Sequence, residues 1–146
     1  MRQCFVVLVS LIVLVGCGSG EDFSVAKNVS GVVTLNGKPL PKASVTFVPS
    51  ATKDRMNPGP TAQGITDGEG RFKLNVDPTT SGSVVGNCRV YITTLISEPG
   101  AQDRDAGGPI SNVQDKLPAK YNMKTELIFD VPPAGTEKAN FDLKVP

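Results

Sequence analysis

The stretch TDGEGRF, residues 66–72, sets Asp67 and Glu69 two positions apart, between glycines and beside Arg71. Carboxylates at alternating positions are how a calcium loop begins. Such a loop needs about 6–8 oxygen ligands and a distal bidentate glutamate, and only Asp67 and Glu69 qualify. The composition reads instead as a corner: Asp67 accepts amide hydrogens ahead of it, while Gly68 and Gly70 take left-handed conformations. A second charged group, Asp103-Arg104-Asp105 within EPGAQDRDAGGP, can hold a cation or a sugar hydroxyl, or belong to a solvated loop. Tyr121 in LPAKYN is either an exposed recognition ring or a ring packed over a rim with its hydroxyl on a backbone group. Cys88 shares a period-two register with Val90 and Ile92, which favours a buried, inert thiol over a reactive one. Asn28-Val29-Ser30 matches a glycosylation sequon only formally.

Histidine is absent from all 146 residues. With it go the usual general base, the Ser-His-Asp and Cys-His arrangements, and the commonest metal ligand. No cofactor is implied. The net charge of +1 leaves no electrostatic footprint for nucleic acid or acidic lipid.

Short elements must position these groups, because 15 glycines and 12 prolines punctuate the chain. Period-two patterning starts at Val29. In VSGVVTL, Val29, Gly31, Val33 and Leu35 share a face; in ASVTF, Ala43, Val45 and Phe47 do. AQGIT is a weaker segment. RFKLNV turns Phe72, Leu74 and Val76 inward, and CRVYITTL turns Cys88, Val90 and Ile92 inward with Arg89, Tyr91 and Thr93 outward. ELIFDV buries Leu127, Phe129 and Val131, and NFDLKV buries Phe141, Leu143 and Val145. Seven such strands predict an all-β antiparallel sandwich with solvated outer faces. Asn36-Gly37 suits a two-residue type I′ hairpin turn. Two connections, 49–60 and 97–120, are too long for simple turns.

The N-terminus reads MRQCFVVLVSLIVLVGC: Arg2, then an apolar run of eleven residues, Phe5–Val15, then Gly16 and Cys17. This has the order and length of a secretory signal helix, too short for the roughly 18–20 apolar residues of a spanning helix. Leu14-Val15-Gly16-Cys17 resembles the lipobox of bacterial lipoproteins, which implies cleavage before Cys17 and diacylglyceryl attachment to its thiol. Cys4 then departs with the signal and Cys88 has no partner for an intrachain disulfide. Loss of Arg2 leaves 15 − 1 = 14 basic side chains against 14 acidic ones, so membrane attachment would come from lipid and not from charge. Residues 18–28, GSGEDFSVAKN, read as a flexible leash.

VSGVVTLNGKPLPKASVTFVP, then GITDGEGRFKL, then GNCRVYI together resemble a carboxypeptidase regulatory-like domain, across most of residues 29–93. The resemblance implies a seven-stranded Greek-key sandwich of the transthyretin-like class. LPAKYN is similar to a segment of small bacterial envelope lipoproteins that carry this domain. Cys88 stands where family members often place an aromatic residue, and no peptidase domain accompanies the module, so no enzymatic role is carried over. The division that follows is signal 1–16, lipidated Cys17 and leash to residue 28, and sandwich 29–146. The expected role is a non-catalytic, lipid-anchored envelope protein whose sandwich either presents loops to a protein or glycan partner or serves a structural role, with no nucleic acid. The alternative is a carbohydrate- or calcium-binding module using Asp103, Asp105 and Tyr121 on the 97–121 loop; a hydrolase comes last.

Overall fold

A computed structural model describes residues 23–53, 56–94 and 115–146. The signal segment, Cys17, Asp103 and Asp105 lie outside the described residues. The chain order is β1 Val25–Ala26, β2 Ser30–Leu35, β3 Lys38–Pro39, β4 Ser44–Pro49, β5 Ala62–Ile65, β6 Arg71–Lys73, β7 Ser83–Val84 and β8 Gly86–Thr93. A single 3₁₀ turn, Ala119–Tyr121, then precedes β9 Ile128–Val131 and β10 Phe141–Leu143. Each of the seven expected segments contains a strand. The expected number of seven is corrected to ten among the described residues, because three two-residue strands, β1, β3 and β7, join them.

Two four-stranded sheets form the layers. One runs β5-β4-β8-β9, antiparallel throughout. In the other, β2 lies between β10 and a split neighbour: β6 pairs its first half and β3 its second. Alternation explains the layering, because successive strand residues face opposite sides. In β4 the buried residues are Val45, Phe47 and Pro49, and in β8 they are Cys88, Val90 and Ile92. Phe141 of β10 meets Phe47 of β4 and Phe129 of β9 at centroid distances of 6.1 Å, and Phe72 of β6 at 6.4 Å. The core is therefore closed by rings from both sheets, each such pair adding about 0.5–1.5 kcal/mol beyond its buried area.

Two expectations are corrected. Pairing is not wholly antiparallel, since β10 runs parallel to β2, with Phe141 opposite Val33 and Leu143 opposite Leu35. The cause is a short crossover. β9 ends opposite Gly86, and the chain enters the second sheet at once, where the Ser30 N–H donates to the Thr136 carbonyl at 2.8 Å. It thus arrives at the end of the sheet where β2 begins, and must run the same way. Residues 18–28 are also not all leash: Val25 and Ala26 pair with Val84 and Ser83, and Ala26 is buried. Two residues, Val25 and Ala26, are too few to show a strand period, and Gly82 admits their approach. A Cβ on Gly82 would sit 1.9 Å from the Ala26 carbonyl oxygen.

Candidate functional site

The corner at TDGEGRF is built by Asp67. Its Oδ1 accepts the Glu69 and Arg71 N–H groups, both at 2.9 Å. The Gly70 N–H donates to the Asp67 carbonyl at 3.0 Å, and the Asp67 N–H donates to the Arg71 carbonyl at 2.8 Å. Gly70 has φ +75°, and a Cβ there would lie 2.4 Å from the Val33 carbonyl oxygen. Gly68 does not take the left-handed conformation assigned to it from sequence; one such residue suffices to close this turn, and Gly70 is that residue. Glu69 and Arg71 pair at 3.2 Å with both side chains about two-thirds exposed, which contributes little. The Asp67 carboxylate is occupied in holding backbone.

Asn36 and Gly37, at φ 50° and 79°, form the expected type I′ turn between β2 and β3. Asn36 does more than turn the chain. Its Nδ2 donates to the Val145 carbonyl at 3.2 Å and its Oδ1 accepts the Val145 N–H at 3.1 Å, strapping the residues that follow β10.

Tyr121 does not present its ring to solvent. It is 8% exposed, and its hydroxyl both donates to the Lys144 carbonyl at 3.0 Å and accepts the Lys144 N–H at 2.8 Å. Of the two readings of this ring, rim packing holds. The proposed ligand group of Asp103, Asp105 and Tyr121 loses its aromatic member, and its carboxylates fall outside the described residues. Cys88 is buried, its thiol reaching toward the Val84 carbonyl at 3.6 Å.

An arrangement missed from sequence lies at the end of β8. Asp115 Oδ1 accepts the Thr94 N–H at 3.1 Å, the Thr94 hydroxyl at 2.7 Å and the Leu117 N–H at 3.0 Å. Its Oδ2 accepts the Thr93 hydroxyl and, at 2.9 Å, the Asn122 amide. Burial opposes ionisation of Asp115, but the bonds from Thr93, Thr94 and Leu117 outweigh it and lower the pKa below its ordinary 3.8. The group is a clasp that holds Thr94, at the end of β8, to Asp115, 21 residues further along the chain. Asp77 caps a smaller turn: the hydroxyl and N–H of Thr79, then Thr80, lower its pKa from 3.8 to about 2.

A concave polar surface lies outside β4 and β8. Val48, Pro49, Ser50, Ala51, Arg89 and Tyr91 line an open depression of about 290 Å³. Cross-strand register sets Val48 opposite Arg89 and Thr46 opposite Tyr91. The outward period of CRVYITTL already marked Arg89 and Tyr91 as surface residues; what the sequence lacked was the strand pairing that sets them beside residues 48–51. A guanidinium and a phenol ring there can receive a carboxylate, a phosphate or a sugar face. No group of three or more Cys, Asp or Glu side chains among the described residues is placed to hold a metal ion. No family model, no curated protein and no solved structure matches this chain.

Proposed function

We propose that this chain is a non-catalytic, lipid-anchored protein of the cell envelope whose β-sandwich serves as a contact or structural module. The sandwich is proposed to be a carboxypeptidase regulatory-like domain of the seven-stranded Greek-key, transthyretin-like class, its seven principal strands supplemented by β1, β3 and β7. Support for the class comes from the motifs of residues 29–93.

The observation that carries the functional reading is how the polar residues are employed. The chain has no histidine; Asp67 and Asp77 each accept neighbouring donors through Oδ1, and Asp115 does so through both oxygens. At Asp77 and Asp115, whose pKa values those bonds lower, the carboxylate is held ionised and is a poor proton carrier. The acyl groups on Cys17 localise the protein, because each buried CH₂ contributes about 0.8 kcal/mol and two or more chains give stable anchoring. The depression at Arg89 and Tyr91 is the proposed contact face for a protein or glycan.

Metabolic labelling with an alkyne fatty acid tests the anchor: wild type takes label and Cys17→Ser does not, whereas equal label in both rejects it. Crosslinking from native membranes tests the contact face. Arg89→Ala with Tyr91→Ala should reduce capture of the crosslinked partner at least fivefold, and undiminished capture removes this face from the proposal.

A further inference from the structure

The sandwich has two ends, and the chain marks them with two methionines that are each 90% exposed, Met56 and Met123. β8 spans the distance between them. At its start, the Val85 N–H donates to the Ser24 carbonyl at 2.8 Å, and Phe23 lies against Gly59, where a Cβ would be 2.7 Å from the ring. Met56 is three residues from Gly59. At the other end, Thr93 bonds Asp115, Asp115 bonds Asn122, and Asn122 Oδ1 accepts the Met123 N–H at 2.6 Å. Eight strand residues separate these ends by about 24 Å.

We infer that the Met56 end is a membrane-facing surface that rests in the headgroup region of a phospholipid bilayer, with the Met123 end pointing away. This rests on the lipid anchor at Cys17 proposed above. Because Phe23 already belongs to the fold, only residues 18–22 separate the acylated cysteine from the sandwich. Six peptide steps reach at most about 20 Å. A domain of this length has a radius of gyration of about 14 Å, and hence a diameter of about 35 Å. The leash is shorter than the body it holds, so the sandwich cannot turn over, and the end from which the leash leaves stays against the surface. That end presents an unbranched apolar side chain on a loop, with Lys53, three residues before it in the chain, also exposed. Methionine can enter the acyl boundary there while the ammonium group stays among phosphates. Thr94 and Asp115, clasped to each other, lie at the opposite end.

The test uses the full chain, expressed with its own leader, purified acylated and reconstituted into phosphatidylethanolamine–phosphatidylglycerol vesicles. Met56→Cys and Met123→Cys each carry an environment-sensitive fluorophore, with the wild-type chain and its buried Cys88 as the labelling blank. Headgroup spin-labelled lipid should quench the label at position 56 at least twofold more than the label at position 123. An acyl-bearing chain with equal quenching at both sites, or stronger quenching at 123, overturns the orientation and leaves the anchor standing. A chain that mass analysis shows without acyl groups overturns both.

Discussion

Asp115→Ala removes the acceptor for five donors, and these do not weigh equally. The Thr93 and Thr94 hydroxyls and the Asn122 amide can rotate toward water, so their loss costs little. The Thr94 and Leu117 N–H groups are fixed in a part-buried backbone and cannot follow. Leaving two such amides without an acceptor costs about 1–1.5 kcal/mol each, or about 2–3 kcal/mol in all. For a domain of this size that lowers the melting temperature by about 10 °C. Asp115→Asn keeps one oxygen for the backbone amides but sets its NH₂ against that of Asn122, and should lose about half as much. The assay is urea denaturation of residues 18–146 followed by far-ultraviolet circular dichroism, since the chain has no tryptophan. The effect also carries a pH signature. The folded-state pKa of Asp115 is depressed, so its stabilisation is full above the unfolded value near 3.8 and is lost as pH falls through the folded value. The gap between wild type and Asp115→Ala should be constant from pH 7 to 5 and narrow as pH falls below about 3.8. A loss under about 0.5 kcal/mol at pH 7, or a gap that does not vary with pH, would refute the clasp.

At the 66–72 corner, Gly70→Ala should cost about 1–2 kcal/mol from its left-handed backbone, with further loss from the approach of Val33, while Gly68→Ala stays within about 0.5 kcal/mol; paired urea melts separate them. Ser83 has a fully buried hydroxyl with no hydrogen-bond partner among the described residues, so Ser83→Ala should be neutral or stabilising by up to about 1 kcal/mol. Destabilisation in the same melts would show that the hydroxyl has a partner. Asp77, with its pKa lowered to about 2, favours the folded state above pH 3.8 and loses that contribution as pH approaches 2. The stability difference from Asp77→Asn should therefore vanish over that interval in acid titrations.

Much of the sandwich was legible because a half-buried strand must alternate. Val45 and Phe47, or Val90 and Ile92, declare their face whatever their partners. The hairpin at Asn36-Gly37 was legible because few dipeptides tolerate positive φ twice. What was hidden is what depends on distant pairing. Nothing local in Phe141–Leu143 says that it runs parallel to β2, since direction was decided by where the crossover re-enters the sheet. Val25–Ala26 was hidden because two residues carry no period, and its burial depends on Gly82 far along the chain. Asp115 was hidden because a single aspartate signals nothing until Thr93, Thr94 and Asn122 are brought around it. Thr66 is similar: it read as the end of a strand, yet it is buried, accepting the Ala43 N–H and donating to the Leu40 carbonyl.

The proposed role depends most on attachment through Cys17. Mass spectrometry of the N-terminal peptide from the mature, membrane-extracted chain reads it directly. We expect a peptide that begins at Cys17 and carries a thioether-linked diacylglyceryl group. A mature chain that begins elsewhere, or a Cys17 bearing a free thiol, would contradict the account.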